Sequence, residues 1–115
     1  MEDKDRFAQL VDRIRVFCKE RDWSQFHDPK NLAISLQLEA SEVLELFQWT
    51  KDNQAKKGAE EDMADELADV FYWVVMLANH YKIDLVDALN KKMKKNEAKY
   101  PVEKARGKNT KYNKL

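Results

Sequence analysis

The chain has 115 residues, 37% of them charged, with only two Gly and two Pro. That length suits one domain with a real core, and the lack of turn formers and of strand-like alternation predicts an all-α fold. Positive and negative charges cancel, which excludes a globally basic binder of nucleic acid polymers, but the balance is uneven: residues 91–115 carry a net +8 and residues 1–90 a net −8.

A first helix is predicted roughly from Asp3 to Arg21, with an apolar stripe of Phe7, Leu10, Val11, Ile14, Phe17 and Cys18. Cys18 is the only cysteine, so no intrachain disulfide can form, and its place on the stripe reads as core filling. Met1 to Asp5 has no apolar leader segment, and the longest apolar run, Val70 to Ala78, is too short to span a bilayer. A cytoplasmic protein without membrane association is expected.

The loop Asp22 to His27 leads into Asp28-Pro29, where Asp caps a helix and Pro fits its first position. The second helix is predicted to reach about Thr50. Its inward stripe holds Leu32, Leu36, Ala40, Val43 and Phe47, yet Glu39 projects between Val43 and Leu46, and Glu42 between Leu46 and Trp49. Carboxylates beside an apolar stripe are costly unless they neutralise or meet a cation.

A polar connection, Lys51 to Glu60 with Gly58, precedes a third helix running to about Tyr81. Its stripe of Met63, Leu67, Val70, Trp73, Val74 and Leu77 contains Glu66, and Asp69 lies between Trp73 and Met76. Val70 to Ala78 is apolar nearly all round, so the face holding Phe71, Val75 and Ala78 is expected against the same helix of a second chain. Asp84 caps a fourth helix ending near Pro101. Lys92, Asn96 and Tyr100 extend its inward stripe, and the last fifteen residues read as an extended basic tail.

Two E-x-x-[DE] pairs, Glu39/Glu42 and Glu66/Asp69, can face one another across a helical bundle. Such a set of hard oxygen ligands suits Mg²⁺, with Mn²⁺ also possible, and not zinc. A Lys, an Asn amide and a Tyr hydroxyl suit a phosphate chain and sugar. Aromatics at helical spacing, Trp23, Trp49 and Trp73 among them, usually fill core, but Trp23 and His27 flank a loop and Trp49 ends its helix, where a planar base could stack. No glycine-rich phosphate loop is present, and a carboxylate-bridged di-iron centre would want Glu-x-x-His pairs.

Glu39-x-x-Glu42, a 23-residue spacer and Glu66-x-x-Asp69 resemble the signature of the MazG-like all-α nucleoside triphosphate pyrophosphohydrolases. Arg21 to Leu32, Glu45 to Trp49, Lys92 to Pro101 and the Ala105-Arg106-Gly107 and Lys111-Tyr112 segments are similar to that family's dCTP pyrophosphatase branch. The resemblance implies that Glu39, Glu42, Glu66 and Asp69 hold Mg²⁺, that Lys92, Asn96 and Tyr100 contact phosphates and sugar, and that Trp23, Trp49 and Trp73 surround the base. Trp73 departs from the Tyr frequent among relatives, which bears on base preference.

The expectation is then a single domain over residues 1–115, helical from about 3 to 100 with a basic tail at 101–115. The fold is a four-helix-bundle protomer assembled as a homodimer or a dimer of dimers (a homotetramer). Its substrate would be a (deoxy)nucleoside triphosphate such as dCTP, cleaved to monophosphate and pyrophosphate in nucleotide house-cleaning, with Glu39 or Glu42 orienting water. The rivals are a pyrophosphohydrolase for dUTP or a modified nucleotide, and a non-enzymatic module binding through its basic tail.

Overall fold

The computed structural model describes residues 3–115. Four long helices form where the pattern places them, α1 (Asp3–Glu20), α2 (Pro29–Glu45), α3 (Glu60–His80) and α4 (Leu85–Lys99), joined by a short α5 (Val102–Ala105) and two single 3₁₀ turns, Ser24–Phe26 and Tyr112–Lys114. Among the described residues there is no strand. The chain forms two compact units, Met1–Lys82 and Ile83–Leu115. No described helix is long and apolar enough to cross a membrane.

In the first unit α3 packs along α2 and, over a shorter stretch, against α1. Its core gathers Ile14, Cys18, Leu32, Ala59, Val75, Met76 and Ala78, with Leu32 1% and Val75 0% exposed. Burying such a side chain contributes about 1.5–3 kcal/mol. Phe7 meets Phe71 at 6.1 Å between centroids, and Cys18 Sγ reaches the Tyr72 hydroxyl at 3.2 Å and Met76 Sδ at 3.6 Å. Cys18 is thus core, as its stripe position predicts.

The expected intersubunit role of Val75 and Ala78 is overturned, because both are buried within the protomer. α1 covers α3 on the side of Phe71, Tyr72 and Met76. Leu67, assigned by the wheel to the inward stripe, is exposed. From Val70 to Ala78 the helix offers no polar face to fix its rotation, so packing chose the buried side.

Helix ends follow local chemistry. Asp28 caps α2, its Oδ1 accepting the Asn31 N–H at 2.8 Å, with Pro29 at the first position. α2 stops at Glu45, short of the expected Thr50, because the following residues tighten into turns: Phe47 N–H bonds to the Leu44 carbonyl at 2.9 Å and Thr50 Oγ1 to the Phe47 carbonyl at 2.8 Å. Trp49 closes this segment with φ 70°, in the left-handed region. α3 starts after Gly58 (φ 81°) with no side-chain cap, and Glu60, Glu61 and Asp62 in its first turn complement the helix dipole.

In the second unit Asp84 caps α4 through a 3.0 Å bond from the Asp87 N–H. The tail is not fully extended. α5 and the last 3₁₀ turn fold it locally, the Tyr112 ring standing edge-on to Tyr100 at 6.1 Å with Lys99 Nζ 4.7 Å from the ring centroid.

Candidate metal centre and adjoining cavity

The E-x-x-E spacing sets Glu39 and Glu42 one turn apart on α2, and Glu66 projects from α3, which packs along it. One carboxylate oxygen from each of Glu39, Glu42 and Glu66 lies within 4.8 Å of the others, and all three residues are half-buried. Asp69 does not join this close set. It is exposed and lines a cavity together with Glu39.

Electrostatics mark the cluster. Loss of hydration and the neighbouring charges of Glu42 and Asp69 hold the Glu39 carboxyl above the usual carboxylate range. Glu66 is raised in the same way, by loss of hydration and then by Glu42. Glu39 Oε2 is buried without a hydrogen-bond partner. A buried carboxylate oxygen lacking a donor is costly. Three mutually close carboxylates, one of them with a buried unsatisfied oxygen, are a donor set that a hard divalent cation accepts, so the residues fit such an ion.

The cavity beside the acids has a volume of about 450 Å³, in the range of small-molecule sites. Its aromatic wall is Phe17, Trp23, Tyr72 and Trp73, and α1 adds Leu10, Arg13 and Ile14. Local sequence aims Trp23 into it. α1 ends in a Schellman motif: Asp22 takes φ 53°, its N–H bonding to the Lys19 carbonyl and the Trp23 N–H to the Cys18 carbonyl, both at 3.1 Å. Trp23 thereby meets Phe17 edge-on at 5.5 Å, the apolar contact that accompanies this cap. Trp73 stands edge-on to Tyr72 at 5.0 Å and to His27 at 5.8 Å.

Of the expected site residues, then, Glu39, Asp69, Trp23 and Trp73 border one cavity, and Glu42 and Glu66 complete the acid cluster beside Glu39. His27 lines a second cavity of about 380 Å³ with Cys18, Leu32 and His80, and its Nδ1 is buried without a partner. Trp49, 87% exposed, borders neither cavity. Lys92 (exposed), Asn96 (half-buried) and Tyr100 belong to the second unit. There the Tyr100 N–H bonds to the Asn96 carbonyl at 2.9 Å.

Sequence reasoning missed Tyr72 and the α1 residues Leu10, Arg13, Ile14 and Phe17 as cavity lining. The stripe that names most of the α1 set as apolar was visible, but a stripe does not distinguish core from cavity wall.

The profile of the family described as MazG-like matches residues 34–115. The chain is 40% identical over 104 residues to mouse (Mus musculus) dCTP pyrophosphatase 1, covering 86% of this chain and 61% of that protein. It is 38% identical to the human (Homo sapiens) protein of the same name at the same coverage. This chain thus spans about 61% of the length of the curated relatives it matches. A solved pyrophosphatase from Archaeoglobus fulgidus DSM 4304 superposes with a TM-score of 0.78 at 36% identity, covering 84% of this chain and 93% of that one.

Proposed function

The chain belongs to the MazG-like family, and from that premise we propose that it hydrolyses a deoxynucleoside triphosphate, dCTP foremost, to the monophosphate and pyrophosphate. The observation that carries this reading is the buried, unpartnered Oε2 of Glu39 within a set of three mutually close carboxylates. Relatives named dCTP pyrophosphatase 1 support the choice of substrate.

Glu39, Glu42 and Glu66 would hold Mg²⁺, with Asp69 at the edge of the set, and the ion would supply neutralisation of phosphate charge. Trp23 and Trp73 flank the base within the aromatic cavity. Glu39 or Glu42 orients a water toward the α-phosphorus and takes its proton. The new P–O bond forms as the bond from the α-phosphorus to the bridging oxygen breaks, and pyrophosphate leaves. Lys92, Asn96 and Tyr100 serve phosphates and sugar in this proposal, Trp49 and His27 stay assigned to the nucleotide, and residues 1–115 act as one functional domain.

The same reading includes self-association and a cytoplasmic role. Exposed Ile34, Leu38 and Leu44 on α2 and Leu67 on α3 leave apolar surface that a second copy would cover. The deciding experiment is a panel of canonical and modified triphosphates with Mg²⁺, assayed for both phosphate products. Release of pyrophosphate with monophosphate, strongest for dCTP, is expected. Release of orthophosphate, or no turnover of any triphosphate, overturns the reading.

A further inference from the structure

We propose that Arg13 reads the base, its guanidinium fork pairing with two adjacent acceptors on the base edge and so selecting cytosine over uracil and thymine. The inference rests on the nucleotide reading above and adds a residue that reading does not use.

Arg13 lines the cavity that also holds Glu39, Asp69, Trp23 and Trp73. It is the only cation among the residues bordering it, and it lies three residues after Leu10 and four before Phe17, which places all three on one side of α1. Neighbouring arginines are engaged: Arg6 has a partner, Arg15 on α1 bonds to Asp12 at 3.1 Å, and Arg21, just past the helix end, donates to the Phe17 carbonyl at 3.1 Å while covering the Phe17 ring at 4.0 Å. Among the described residues, the Arg13 side chain has no ion pair or hydrogen bond.

The chemistry of the wall narrows what Arg13 can meet. The carboxylates in this cavity lie on α2 and α3 as Glu39 and Asp69, and in the functional reading they are committed to the metal and the phosphates. The Tyr72 hydroxyl is already engaged with Cys18 Sγ. Arginine presents several N–H donors in a fixed planar fork and no acceptor. Arg13 is exposed at the cavity edge, and its fork can exchange water for two adjacent acceptors on whatever fills the aromatic slot.

Cytosine has that pair, O2 and N3 side by side, whereas uracil and thymine carry a proton on N3 that would point at the guanidinium. A correct bidentate contact of this kind discriminates by roughly 5- to 150-fold. The preference would come from an unpaired donor and a repelled N3–H, not from pocket size.

The test compares kcat/KM for dCTP and dUTP in the wild type, Arg13→Met and Arg13→Lys. The expected result is a wild-type preference for dCTP that falls by roughly 5- to 150-fold in Arg13→Met. Arg13→Lys, which keeps the charge and loses the fork, should not restore it. The dUTP kcat/KM should rise or at least not fall once the guanidinium that opposes N3–H is gone, and this retained turnover also shows that the variants fold. A dCTP/dUTP ratio unchanged by Arg13→Met, or an equal fall for both substrates, overturns the proposal. Dissociation constants for dCMP and dUMP without metal give the same ratio independently of catalysis. If no triphosphate is turned over, the functional reading fails, and this binding ratio still decides the role of Arg13.

Discussion

A carboxylate oxygen of Glu39 on α2 lies within 4.8 Å of one of Glu66 on α3, and one of Glu42 lies within the same limit of both. Two helices are thus held together at a point where like charges should push them apart. Glu66→Gln should cut pyrophosphate release on the order of 10²- to 10³-fold, the scale of losing one electrostatic stabiliser. The metal-free variant should melt higher than the wild type, because one repelling charge is gone. Near-normal turnover of Glu66→Gln across Mg²⁺ concentrations would remove the metal assignment.

The same cluster sets a pH dependence. Glu39 and Glu66 keep their protons to a higher pH in the fold than in the unfolded chain, whose reference value is 4.5. The folded state therefore binds more protons, and stability from these groups is fully present below about 4.5 and lost as pH rises through their raised values. Metal-free protein should gain stability over Glu39→Gln as pH falls from neutral through that window, and Mg²⁺ should abolish the gain. Melting curves in EDTA and in Mg²⁺ measure this. A wild-type minus variant difference that is flat with pH would contradict it.

Core position, not assembly, should govern Leu32 and Val75. Leu32→Ala is expected to cost about 2–5 kcal/mol in urea unfolding. Leu38→Ala, at a side chain 60% exposed, should stay within about 0.5 kcal/mol for the isolated protomer. Val75→Asp should fail to fold at any protein concentration, since it places an unpaired carboxylate where no surface is exposed. A folded Val75→Asp monomer would return this residue to a subunit interface.

Deleting residues 108–115 removes Tyr112, whose ring packs on Tyr100 and under Lys99. The truncated protein should lose substrate affinity, seen as a higher KM, and keep a measurable kcat, because no carboxylate of the cluster is touched. A module that works by binding through its basic tail would instead lose all function, with hydrolysis absent from the outset.

Much of this architecture is legible in the residues themselves. Asp28-Pro29 and Asp84 announce their helices because a cap is a local bond, and the acid pairs stand out because spacing fixes their faces. Rotation of α3 was not legible: Val75 and Leu67 are both aliphatic, and only packing against α2 and α1 decides which is buried. The end of α2 escaped for a related reason, since its turns rest on a bond from the Lys56 N–H to the Leu46 carbonyl at 2.7 Å, ten residues along the chain. Arg13 was hidden because a cation at the margin of an apolar stripe usually reaches for solvent.

Trp49 puts recognition and folding in opposition. A bulky side chain at φ 70° costs on the order of 1–3 kcal/mol, and a ring 87% exposed recovers little of that by burial. Glycine would suit the backbone better, so Trp49→Gly should fold at least as stably while losing whatever stacks on the ring. In return the left-handed backbone fixes the direction of the Cβ, and an indole has only two torsions left to freeze. If Trp49 serves the nucleotide as proposed, the closing turn of α2 has already fixed where its ring is anchored, and binding would need to order only those two torsions.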